Sequence, residues 1–103
     1  MSHELPRVQL AAYEDIAAIA GRLERSVGRA AADKTVERIL AGIELLGKTP
    51  YLGPLHQDEM LARQGYRKLV LGKYVAVYRV HDDQAVVLRV FYGASDYTRQ
   101  IEA

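Results

Sequence analysis

The stretch Gly65–Tyr97, GYRKLVLGKYVAVYRVHDDQAVVLRVFYGASDY, decides how this chain folds. It holds three strand-like runs, Tyr66–Leu71, Tyr74–Val80 and Ala85–Tyr92, rich in Val, Leu, Tyr and Phe. Gly72-Lys73 reads as a tight turn with glycine first, and His81-Asp82-Asp83-Gln84 as a second turn. Consecutive strands joined this way make an antiparallel meander. If Val80 faces Ala85, then Tyr78 faces Val87, Val77 faces Leu88 and Val75 faces Val90. Side chains alternate across a sheet, so Val75, Val77, Val86, Leu88 and Val90 share one face. Tyr74, Ala76, Tyr78, Val87, Arg89 and Phe91 share the other. The aliphatic face is the expected core, because a mid-strand arginine favours a face from which it can reach water. The face with Arg89 and the aromatic residues is then the expected working surface.

Upstream of the meander, Val8 and Leu10 alternate with Arg7 and Gln9, which predicts a short strand over Arg7–Leu10. From Ala11 the period becomes helical: Tyr13, Ile16, Ile19, Ala20 and Leu23 form one stripe. Ser26-Val27-Gly28 breaks it. A second helix is predicted over Arg29–Leu46 with Val36, Ile39, Leu40, Ile43 and Leu46 as its stripe; Gly47 is the expected cap and Pro50 the stop. Tyr51–Gln64 reads as a connection with one helical turn at Asp58–Arg63, and Thr98–Ala103 as a tail that docks as a turn. Neither helix is stable alone, but a hairpin of two can bury both stripes on a sheet. The fold class is therefore α+β: an N-terminal strand, a helical hairpin, then a three-stranded antiparallel meander, with the helices on one sheet face. A single domain over residues 1–103 is expected.

Composition narrows the function. The 103 residues carry a formal net charge of +1, less basic than a dedicated nucleic-acid binder. There is no cysteine, hence no disulfide framework or thiolate metal site. No apolar run reaches membrane-spanning length and no secretory leader pattern is present, so a cytoplasmic location is expected. His3, His56 and His81 are isolated and read as surface residues, and Asp82-Asp83 as a solvated turn. No nucleotide-binding, nucleophile-elbow or calcium-loop motif occurs, so no cofactor and no metal are expected.

The order of elements resembles the RelE/ParE superfamily of bacterial toxins, the toxin–antitoxin or plasmid stabilisation proteins. The likeness rests on Pro50 and Gly53, Gly65-Tyr66-Arg67-Lys68-Leu69-Val70, Tyr74-Val75-Ala76-Val77-Tyr78-Arg79-Val80, Val87-Leu88-Arg89-Val90-Phe91-Tyr92-Gly93 and Asp96-Tyr97. It spans nearly the whole chain, and the meander is its specific part. It implies a toxin neutralised by a cognate antitoxin encoded beside it, whose tail wraps the toxin, with a heterotetramer as one assembly. One branch of the superfamily cleaves messenger RNA on the ribosome; the other poisons DNA gyrase. Here Val75 stands where the RNA-cleaving branch carries arginine, and Ala94 and Ser95 follow Gly93 where both branches often do. Phosphodiester cleavage needs cations for the developing charge and a proton acceptor. The ParE branch, which demands less of these positions, is the expected one. The alternatives are a ribosome-dependent endonuclease and a non-toxic member that still binds antitoxin.

The catalytic residues of a nuclease are not identified by the sequence; the candidates are Arg67 and Lys68, on the strand where the RNA-cleaving branch carries lysines, and Arg89, a charge within the most apolar strand. For a binding protein, Arg67, Tyr74, Tyr78, Arg89 and Phe91 are the expected antitoxin-facing residues. Adjacent strand residues point to opposite faces, so Arg67 and Lys68 cannot both serve one surface. Arg89 is expected either to meet a ligand or to pair with an acidic residue such as Asp96. The meander also leaves a sheet edge where an extended antitoxin segment can add main-chain hydrogen bonds.

Overall fold

The computed structural model describes residues 6–101. Strand β1 (Arg7–Val8) leads into helices α1 (Leu10–Val27) and α2 (Arg29–Lys48). A short helix α3 (Glu59–Arg63) precedes strands β2 (Arg67–Leu71), β3 (Tyr74–His81) and β4 (Gln84–Tyr92), and a 3-10 turn covers Tyr97–Gln100. The sheet has four strands in the order β1-β4-β3-β2; β1 runs parallel to β4 and the other pairs are antiparallel.

The helical hairpin forms, but two residues of the predicted stripes, Tyr13 and Leu40, are exposed rather than buried. Ala12, Ile16 and Ile19 of α1 and Ile39, Ile43 and Leu46 of α2 are buried together against the sheet. Several boundaries differ from expectation. The strand expected over Arg7–Leu10 ends at Val8, and Leu10 opens α1 after Gln9. Ser26 and Val27 stay helical, and the break is Gly28 alone, whose φ of 95° lies in the region that favours glycine. Gly47 does not cap α2; the helix continues through Lys48 to Thr49, because Pro50 disfavours helix only at the residue before it. The expected turn at Asp58–Arg63 is α3, with the Asp58 carboxylate accepting from the Leu61 amide at 3.1 Å. The predicted tail Thr98–Ala103 falls partly outside the described residues; within them the 3-10 turn docks through Tyr97, which is buried.

The β3–β4 register is the main correction. Val80 pairs with Ala85 and Tyr78 with Val87, as expected. Then β4 carries a bulge, so that Val77 pairs with Arg89 rather than Leu88 and Val75 with Phe91 rather than Val90. One extra residue turns the rest of the strand over. Val90 therefore joins Val87 beneath the helices, while Phe91 joins Val75 and Val77 on the far face.

The expected core face is also reversed. Tyr74, Ala76 and Tyr78 lie against the helical hairpin. The aliphatic residues Val75 and Val77 instead pack in a second cluster with Leu61, Tyr66, Phe91 and Tyr97. Leu88, expected deep in the core, is only half-buried at the margin of that cluster. The physical reason is that the sheet is covered on both sides. The helices take one face, and α3 with the C-terminal turn takes the other, so both faces of β3 are apolar.

Candidate partner-binding surface

The sequence-predicted residues separate into three places. Arg89 is the first. Its Nε and Nη2 donate to Asp15 at 2.7 and 2.9 Å, and its guanidinium lies 4.8 Å from the Phe91 ring centre. The same carboxylate accepts the Val90 amide at 2.9 Å. Asp15 thus ties α1 to β4 beyond the last β1 residue and satisfies a main-chain donor that the two-residue β1 leaves unpaired. Arg89 pairs with Asp15 and not with Asp96, whose carboxylate instead meets Arg99 at the surface. The Asp15 hydrogen bonds push the Arg89 pKa up further. The guanidinium is held in a fork geometry that leaves it little freedom to meet a ligand.

Arg67 and Tyr78 meet at Gly53. The Gly53 amide donates to the Tyr78 hydroxyl at 2.8 Å, and that hydroxyl donates back to the Gly53 carbonyl at 3.2 Å. Arg67 Nη1 donates to the same carbonyl at 2.6 Å, and its guanidinium lies 5.0 Å from the centre of the Tyr51 ring. Tyr51 in turn donates to Asp83 at 3.0 Å. Burial raises the Tyr78 pKa, an effect opposed by the Gly53 hydrogen bonding and by Arg67. A Cβ on Gly53 would fall on the Lys68 carbonyl oxygen, so only glycine lets this loop lie on β2. Arg67 is therefore a fastener of the loop.

Tyr74 stands at the opposite end of the sheet, with Arg22 Nη2 at 3.5 Å from its hydroxyl and Tyr92 edge-on at 5.7 Å between ring centres. Tyr74, Tyr78 and Phe91 were expected to face a partner, yet they are 6%, 0% and 7% exposed. Phe91 is stacked under Tyr97 with ring centres 4.7 Å apart. None of the three rings offers open surface in the chain itself, because the sheet has a cover on each side.

His56 is not a surface residue as its sequence context suggests; it is 4% exposed. Its Nδ1 accepts from the Asp58 amide at 3.0 Å, which an amide can only donate. The neutral ring therefore carries its proton on Nε2, 2.7 Å from the Tyr97 hydroxyl. Burial first, and Lys68 second, push the His56 pKa below its ordinary value. Burial likewise raises that of Tyr97. Lys68 lies on this far face, opposite Val77. Sequence reasoning missed Asp15, Gly53's role, His56 and Tyr97. The contacts of Asp15 with Arg89 and of His56 with Tyr97 close over 74 and 41 residues, and no periodicity links such positions.

Part of the β2 edge stays open. The first half of the edge is covered: the His56 amide donates to the Tyr66 carbonyl, the Lys68 amide donates to the Pro54 carbonyl, and Leu55 forms a bridge with Arg67. Since the Lys68 amide points away from β3, the amide of Val70, two residues on, does so as well. Val70 is 64% exposed, and Leu52 and Leu55 on the neighbouring loop are also exposed. Among the described residues no His, Asp or Glu cluster could hold a metal, and no helix is long and apolar enough to cross a membrane.

These features can be set beside known proteins. The family model for the ParE toxin of the type II toxin–antitoxin system parDE matches residues 7–97. No curated protein sequence matches significantly. Among solved structures, the chromosomal ParDE toxin–antitoxin system from P. aeruginosa is similar at a TM-score of 0.72 and 24% identity, covering 88% of this chain and 98% of that one. The RelBE2 toxin–antitoxin complex from Mycobacterium tuberculosis is similar at a TM-score of 0.58 and 21% identity, covering 88% of this chain and 99% of that one. The family match runs from β1 through β4 to Tyr97 and so takes in the helical hairpin, the Gly53 loop and the whole sheet; the chain belongs to the ParE toxin family of type II toxin–antitoxin systems.

Proposed function

We propose that the chain stops growth by binding DNA gyrase and is neutralised by a cognate antitoxin encoded beside it. Its action is binding rather than bond-making. The observation that carries this reading is the engagement, within the fold, of two of the three candidate cations. Arg89 is clamped by Asp15, and Arg67 by the Gly53 carbonyl. A ribonuclease site needs such cations free to meet a phosphate. One observation favours the nuclease alternative: His56 and Tyr97 form a hydrogen-bonded pair within electrostatic reach of Lys68. Both rings are more than nine-tenths buried, which weighs against proton transfer to a bound RNA.

The antitoxin is proposed to dock along the β2 edge, where the Val70 main chain is open beside the exposed Leu52 and Leu55. An extended segment there gains main-chain hydrogen bonds and apolar contact together. The functional test is induction of the chain in a bacterial host without antitoxin, scored for the DNA-damage response and for messenger cleavage. Growth arrest with DNA damage and intact messages is expected. Codon-specific cleavage of translated messages would overturn the gyrase reading and leave the family membership standing.

A further inference from the structure

A cleft of about 230 Å³ opens where the helical hairpin meets the β2–β3 turn, lined by Leu23, Thr35, Arg38, Leu71, Lys73 and Tyr74. Three cations surround it. Arg22 reaches the Tyr74 hydroxyl at 3.5 Å. The Arg38 guanidinium lies against Gly72, so close that a Cβ there would come within 2.9 Å of its Nη1. Lys73 follows in the same turn. No ion pair joins any of the three to a carboxylate of the described residues. They come from α1, α2 and the turn, so the fold itself brings like charges together. Arg89, by contrast, has its own carboxylate in Asp15.

We infer that this cleft takes an acidic side chain from a peptide segment of a partner protein, with an adjacent apolar residue of that segment covering Tyr92. The cavity is smaller than the roughly 300–1,000 Å³ of ordinary small-molecule pockets and suits one side chain. Its walls include the aliphatic Leu23 and Leu71, which lower the local polarity and strengthen a charge-assisted hydrogen bond. Tyr92, edge-on to Tyr74 and 44% exposed, places apolar surface beside the charge. With a net charge of +1 the chain has no excess of basic residues for a nucleic-acid track. The cleft begins at Leu71, next to the open Val70 main chain. A segment paired with the β2 edge therefore reaches the cleft without a break. The inference deepens the antitoxin reading by naming the chemistry of the docking segment, and its test does not require the antitoxin.

The probes are a short peptide alternating glutamate and leucine, its glutamine–leucine counterpart, and oligothymidylate, each titrated into the folded chain and followed by amide chemical shifts. The acidic peptide should shift the amides of residues 71–74 and 92–93 and weaken as salt rises. The double variant Arg22→Ala, Arg38→Ala should bind on the order of tenfold or more weakly, as loss of charge-assisted contacts predicts. Its circular dichroism should be unchanged, since both side chains are exposed. Arg79→Ala, on the far sheet face, should bind like the parent. Equal shifts from the glutamine peptide, undiminished binding by the double variant, or tighter binding of oligothymidylate would each overturn the inference. A chain that fails to inhibit gyrase but shows the expected shifts would sink the gyrase reading alone.

Discussion

Asp15 does the work of two ordinary contacts, holding a guanidinium and a main-chain amide with one carboxylate. Asp15→Ala should leave Arg89 partly buried without its counter-ion and the Val90 amide without an acceptor. A loss of about 2–3 kcal/mol in urea unfolding is expected, since both lost contacts are charge-assisted. Arg89→Glu should destabilise the fold in the same way, by setting a second carboxylate beside Asp15. Stability measured before any binding experiment will show this. At Gly53 the contact is steric: Gly53→Ala should cost about 1–3 kcal/mol or more, because the new methyl meets the Lys68 carbonyl rather than a flexible side chain. His56 predicts a pH dependence. Its folded pKa lies below the ordinary 6.5 because burial and Lys68 disfavour the imidazolium. The unfolded chain then takes up the proton first as pH drops. The stability from His56 is complete above about pH 6.5 and is lost as pH falls through the lower folded value. Urea midpoints compared between pH about 7.5 and 5 should fall less steeply for His56→Gln than for the parent.

At the scale of elements, the helices were legible because each has one stripe and one wet side. The stop at Pro50, the α3 turn and the two hairpin turns were legible from residues with fixed backbone preferences. The sheet was harder to read. Alternation assigns faces only when one face is wet, and β3 is apolar on both. A bulge moves a strand by one residue and leaves no mark in a run such as Val86–Phe91, where every residue but Arg89 is apolar. Arg89 was read as marking the working face, yet it is held there by an acid on α1. The corrected register makes a clear prediction. Val87 is fully buried beneath the helices, whereas Leu88 sits half-exposed at the bulge. Val87→Ala should therefore cost more than Leu88→Ala, despite removing the smaller side chain. Each value follows the water-excluded volume lost, with about 2 kcal/mol expected for the former and about 1 kcal/mol for the latter. Equal or reversed losses in chemical unfolding would restore the unbulged register.

The whole molecule has its sheet covered on both sides, which limits where another protein can act on it. Among the described residues, the second half of the β2 edge and the cationic cleft next to it are two openings that belong to one end of the fold. The amide of Val70 should exchange with solvent faster than those of Leu69 and Leu71, which face β3, and should slow when the antitoxin is added. The far face offers cations largely bound to their own neighbours, and that is why the chain is read as a binder of its target. The most direct measurement is supercoiling of relaxed plasmid by purified gyrase titrated with the purified chain. The account predicts dose-dependent loss of supercoiling that is restored by the cognate antitoxin. Supercoiling that continues unchanged, at chain concentrations sufficient to arrest growth, would contradict it.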